Sequence, residues 1–301
     1  MYRIIRLFSG LIIATLLSCN KSYVSSEKPV VFVSILPQKY FVEKIIKDLA
    51  NIEVLVPPGS SPHIYEPKPS QMTLLSKASI YFATGIELEY AWLPKIKKIN
   101  PKLKIIQTDK NIDKILSENS IPKHPEVPHK HDHINNHHSH HGTDPHIWLS
   151  PELVKKQSDI ITKAFIEYDS TWRDTVLKNN KSFQSELREL QDTIKHLLSE
   201  CEDGKPFLVF HPSWGYFARE FNLVQVPVEV QGKEPGPKEL GKVLKFAKNN
   251  NIKTIFVQPG FSKKSAGIIA KELNGIVLTA DPLSLNWSQN LINLAKAIKY
   301  D

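Results

Sequence analysis

The sequence predicts an α/β fold of two lobes, each a mostly parallel sheet flanked by helices, joined by one long rigid helix. Three observations carry that expectation. Short apolar, β-branched runs alternate with helical periodicity between Val30 and Gln107. The same alternation returns from Phe207 to the C-terminus. Between them, 170–200 holds no Gly or Pro and carries Phe183, Leu187, Leu190, Ile194, Leu197 and Leu198 along one stripe.

In chain order, Val30 to Ile35 is a continuous apolar run, as in a strand buried on both faces. Phe41, Ile45, Ile46 and Leu49 then recur at helical spacing over Lys39 to Leu49. Ile52 to Val56 reads as a second strand, closed by Pro57-Pro58-Gly59. Pro69-Ser70 opens a helix to about Lys77, since Pro suits a first helical turn. Ile80 to Ala83 and Leu103 to Gln107 are the third and fourth strands. A helix starts at Pro151, and the long one spans about Ser170 to Glu200. Strands over 207–210, 223–230, 254–257 and 276–279 then alternate with helices near 213–220, 237–249, 262–273 and 286–299.

At 301 residues, with 41% hydrophobic and 23% charged residues, the chain suits two lobes and is neither disordered nor disulfide-rich. Arg3, Arg6, the apolar run Leu7 to Leu17 and Ser18-Cys19 read as an export signal. The ending resembles a bacterial lipoprotein box, with Cys19 as the lipid-bearing first residue. The expected division is 1–18 signal peptide, 19–28 lipidated tether, 29–150 N-terminal lobe, 151–201 helical segment and 202–301 C-terminal lobe. With Cys19 lipidated, Cys201 stands alone and no intramolecular disulfide forms. The net charge of +8 comes without an arginine-rich, aromatic-interleaved patch, so no nucleic-acid partner is expected.

The segment 121–142 has a different composition. It holds His124, His129, His131, His133, His137, His138, His140 and His141, with three Pro and almost no apolar residues. Such a segment cannot pack a core, and we expect a long mobile loop. Its imidazoles, one and two residues apart, can share an ion weakly, because ordering the loop costs entropy.

Four further residues are candidate metal ligands by position. His63 follows the second strand and His146 follows the His-rich segment. His211 comes directly after FLVF, and Asp281 directly after IVLTA. Ligand sites in open α/β sheets form beyond the carboxyl ends of strands, where His63, His211 and Asp281 fall. Two groups from each lobe would then hold one ion. The spacing alone is weak evidence, because no short H-x₃-H or C-x₂-C signature is present.

The motifs around these residues resemble those of the metal-binding lipoproteins of bacterial ABC importers, specifically the zinc-binding members of the zinc/manganese cluster. ILPQKYFVEKI (35–45) is similar to the family's first strand–helix passage. PHIYEPKPSQ (62–71), DPHIWLSP (144–151) and VFHPSWGYFA (209–218) resemble its three histidine-ligand motifs, and TADPL (279–283) its carboxylate motif. GKEPGPKEL (232–240) resembles a family loop at the lobe interface. The resemblance covers nearly the whole mature chain and implies the ligand set His63, His146, His211 and Asp281. It further implies two lobes on one long helix, and an ABC permease with a cytosolic ATPase as partners.

Three imidazoles and one carboxylate suit Zn²⁺. Where manganese members of the family typically carry Glu at the third position, this chain has His211, and Mn²⁺ or iron is the alternative cargo. Pro62 stands where some zinc members have a contributing Glu, which leaves Glu66 a remote candidate. No enzymatic activity is expected. A zinc hydrolase is the rival from another class, and a motif such as H-E-x-x-H is missing from the sequence. A surface adhesin is a second rival. The expectation is therefore an exported, lipid-anchored monomer that captures zinc between two lobes.

Overall fold

The computed structural model describes residues 28–116, 142–230, 233–261 and 263–301. Cys19 and the eight His from His124 to His141 lie outside the described residues.

The N-terminal sheet contains β1 (Val30–Val33), β2 (Asn51–Val54), β3 (Ile80–Ala83) and β4 (Lys104–Gln107), all parallel in the order β2-β1-β3-β4. The helices α1 (Leu36–Ile46), α2 (Pro69–Leu75) and α3 (Glu87–Ile99) make the crossovers. The C-terminal sheet repeats this topology: β5 (Lys205–Val209), β6 (Leu223–Pro227), β7 (Thr254–Val257) and β8 (Ile276–Thr279) run parallel in the order β6-β5-β7-β8. Its crossovers are α6 (Gly215–Glu220), α7 (Pro237–Asn249) and α8 (Lys263–Glu272). Each order reverses direction beside its first strand, which opens a crevice at the carboxyl ends.

Two helices separate the sheets. In α4 (Pro151–Tyr168) the Ser150 side chain accepts from the Leu153 N–H, and Pro151 occupies the first turn, where its missing N–H costs nothing. The long helix α5 (Arg173–Leu198) has 26 residues, about 39 Å at 1.5 Å per residue. Val176, Phe183, Leu187, Leu190 and Ile194 are buried along it, each contributing roughly 1.5–3 kcal/mol on burial. This stripe packs on α1, α4 and the terminal helix α9 (Trp287–Lys299). Trp287 of α9 meets Phe41 of α1 edge-on, with ring centroids 5.0 Å apart. One apolar cluster therefore runs from the first sheet through α5 to the last helix, and α5 braces the lobes as expected. A smaller cluster, including Leu208, Phe210 and Ile255, fills the far side of the C-terminal sheet.

Several boundaries differ from the sequence expectation. The first strand ends at Val33 because a helix with Pro37 in its first turn starts at Leu36, three residues beyond it. The long helix starts at Arg173, since Asp169 accepts from the Thr171 N–H and hydroxyl and holds 170–172 in a single 3-10 turn. The strand expected over 223–230 stops at Pro227, beyond which Val228 and Glu229 donate their N–H groups to Val209 and Phe210. Helix α3 was not anticipated, because Pro94 interrupts its periodicity. Glu87 and Glu89 in its first turn and Lys97 and Lys98 in its last complement the helix dipole and favour it despite the proline. Cys201 is a half-buried free thiol, packed against the main cluster at the end of α5.

Candidate metal centre

His63, His146 and His211 converge although 148 positions separate the first from the last. One ligand-capable atom from each lies within 4.8 Å of the other two. The His211 ring stands 5.5 Å from that of His63 and 5.7 Å from that of His146, both edge-on. His63 comes from the loop after β2, and His211 from the turn that ends β5. His146 leads into the buried 3-10 turn Ile147–Leu149. These loops face one another across the interlobe crevice.

The three rings share a pattern that the sequence reading missed. Each turns Nδ1 toward a carboxylate. Glu229 Oε2 is 2.7 Å from His211, Asp144 Oδ1 is 2.7 Å from His146, and Glu87 Oε2 is 3.5 Å from His63. A carboxylate at Nδ1 selects the tautomer that leaves Nε2 as an acceptor. Nε2 of His211 is buried without a partner among the described residues. A buried, unsatisfied ring nitrogen converging with two further imidazoles fits a bound cation. Glu87 starts α3 and Glu229 follows β6, so each lies at a strand's carboxyl end. Position alone would have flagged both, while their contacts with His required the fold.

The cavity above the rings has a volume of about 50 Å³, with Trp148 and Phe261 on its walls. That admits an ion with a water, and falls well below the ~300 Å³ of organic ligand sites. Burial and the neighbouring His146 and His211 hold the His63 imidazolium below its ordinary range, which favours the neutral ligand form. Asp281 lines the same cavity. It stands outside the three-histidine cluster, and its Oδ1 accepts the Leu283 N–H at 2.9 Å. Burial pushes its carboxyl pKa up. Glu66 is exposed, away from the cavity wall.

The Asp281 loop is tied to the His146 loop through indoles. Trp148 Nε1 donates to the Pro282 carbonyl at 2.7 Å, and Trp287 Nε1 donates to the Trp148 carbonyl at 2.7 Å. Beneath the Glu87 loop, Glu89 is buried and accepts from the backbone N–H of Thr84 and Gly85 and from the Ser34 hydroxyl. Burial pushes its pKa up to about 7.

The family of zinc-uptake complex component A, periplasmic, known as ZnuA, matches residues 31–299. The chain belongs to the ZnuA family. Among curated relatives, the high-affinity zinc uptake system protein ZnuA of Bacillus subtilis is 30% identical over 247 residues, covering 81% of this chain and 75% of that protein. The zinc-binding lipoprotein AdcA of Streptococcus pneumoniae is 26% identical over 274 residues, and the match takes in 90% of this chain but only 53% of AdcA. This chain thus spans about half of AdcA's length. A crystal structure of ZnuA is 39% identical, with a TM-score of 0.81, covering 91% of this chain and 99% of that one. The two-lobe fold and its long helix are therefore those of the ZnuA family, whose members are components of transport systems rather than enzymes.

Proposed function

We propose that the chain is the extracytoplasmic zinc-capturing component of an ABC importer. It binds Zn²⁺ through Nε2 of His63, His146 and His211, with Asp281 as the fourth ligand, and hands the ion to a membrane permease driven by a cytosolic ATPase. The convergence of three carboxylate-backed histidines in a cavity of ion size carries this reading. Imidazole-rich sites suit zinc over manganese. A related crystal structure, of a ZnuA deletion mutant, is described with zinc bound; it is 39% identical, has a TM-score of 0.79, and covers 91% of this chain and 97% of that one.

Asp281 reaches the ion only if its carboxylate turns toward the rings, because its atoms stand outside the cluster. That movement would close the coordination shell with a ligand from the second lobe. Release would then proceed by loop movement, since α5 packs against both α1 and α9 and resists wide opening. Anchoring by a lipid on Cys19, a monomeric state and auxiliary chelation by the His-rich segment complete the proposal.

Competitive titration of zinc and manganese on the full chain, against a chromophoric chelator that masks weak sites, tests it. One tight zinc site, lost in His211→Ala, is the expected result. Tight manganese with weak zinc would reassign the cargo, and the lack of any tight site would overturn the centre.

A further inference from the structure

Asp144 is buried, and its two carboxylate oxygens meet different surroundings. Oδ1 accepts the backbone N–H of His146 at 2.8 Å and lies 2.7 Å from Nδ1 of the same residue. Oδ2 is buried without a partner among the described residues. It lies over Gly215, the first residue of α6, where a Cβ would stand 2.9 Å from it. Gly215 has no positive φ, so the backbone conformation does not call for glycine there. The approach of Asp144 does, because only a residue without Cβ leaves room for that oxygen.

The next residue acts on the same group from another side. The Tyr216 hydroxyl donates to the Asp144 carbonyl at 2.7 Å and accepts the Ile115 N–H at 3.0 Å. Asp144 in turn donates its own N–H to the Ile115 carbonyl at 2.8 Å. Tyr216 is buried, and burial with Asp144 nearby raises its phenol pKa, so the hydroxyl keeps its proton and donates.

We propose that Gly215 and Tyr216 are positioning residues for the metal: they seat Asp144 so that its Oδ1 aims the His146 ring. The C-terminal lobe thereby sets the geometry of a ligand that chain order assigns to the N-terminal segment. This inference rests on the reading of His146 as a zinc ligand. A methyl group at Gly215 would push Oδ2 aside. Turning the short Asp144 carboxylate away would lift Oδ1 from Nδ1. His146 would then lose its preferred tautomer and orientation.

The test is a double-mutant cycle on the full chain, with zinc affinity measured by competition with a chromophoric chelator. Gly215→Ala should weaken the tight site by about tenfold, the scale of outer-shell effects on metal affinity. In an Asp144→Ala background the same substitution should change affinity by less than about twofold, because the group it displaces is gone. Tyr216→Phe should show the same dependence on Asp144. An equal loss from Gly215→Ala in both backgrounds would mean that it acts through the helix, and would overturn the proposal. So would unchanged affinity in both Gly215→Ala and Tyr216→Phe. If Gly215→Ala does not fold, the Tyr216→Phe cycle decides. Absence of a tight site in the unsubstituted chain would instead refute the metal reading itself.

Discussion

Glu229 Oε2 stands 2.7 Å from Nδ1 of His211, and Nε2 of that ring is buried without a partner among the described residues. One side of the imidazole is thus committed and the other is available. In the proposed centre, Glu229 would make the ring a better ligand without touching the ion. Glu229→Ala should weaken zinc binding roughly 10–100-fold. Glu229→Gln, which keeps an acceptor for the Nδ1 proton, should lose less. Chelator competition at one pH would check both, and an Ala variant with native affinity would contradict this role.

The three histidines should not contribute equally. The His63 side chain is 38% exposed and its carboxylate contact is 3.5 Å, whereas those of His146 and His211 are 10% and 14% exposed with contacts of 2.7 Å. A ligand held by its surroundings loses less freedom on binding. Substitution by Ala should therefore cost more at His146 and His211 than at His63. Zinc titration of the three variants would show the order directly.

Glu89 makes stability depend on pH. Its pKa of about 7 in the folded chain lies above its ordinary value of 4.5. The folded state therefore binds the proton more tightly than the unfolded state does. The favourable contribution is complete below 4.5 and is lost as pH rises through about 7. At 1.36 kcal/mol per pKa unit, the loss is roughly 3 kcal/mol. Denaturant unfolding of metal-free protein at acid and mildly alkaline pH should show Glu89→Gln flattening this decline. Parallel curves for variant and wild type would refute the assignment.

The indole pair should couple stability to the site. Trp148→Phe removes the donor to Pro282 O, beside Asp281, and leaves a buried carbonyl without its partner. Such a loss costs about 1–3 kcal/mol. Thermal unfolding of the metal-free protein should report it. The zinc affinity should fall as well, because the Asp281 loop loses its tie to the His146 loop.

The elements that carry the ligands were legible because their signals are local. The β-branched runs before His211 and Asp281, and Pro57-Pro58-Gly59 before His63, mark where a strand ends. Open parallel sheets put their sites at those ends. Helix α3 was not legible, since Pro94 obscures a pattern that charged helix ends and tertiary packing restore. Asp144 sat inside a motif already singled out, yet nothing local gave it a role. Gly215 carried no signal until the fold placed it.

By itself the sequence determined the two sheets and the bracing helix and singled out three histidines that the fold brings together, since alternation, periodicity and strand-end position are properties of neighbouring residues. Only the tertiary structure decided which face of each imidazole is available. Glu229, Asp144 and Glu87 lie 18, 2 and 24 positions from the rings they face. It also decided that Asp281 stands off from the cluster, and that Gly215 lies under Asp144, 71 positions earlier in the chain. The last two relations depend on how two separately wound sheets meet across α5, which no local pattern encodes.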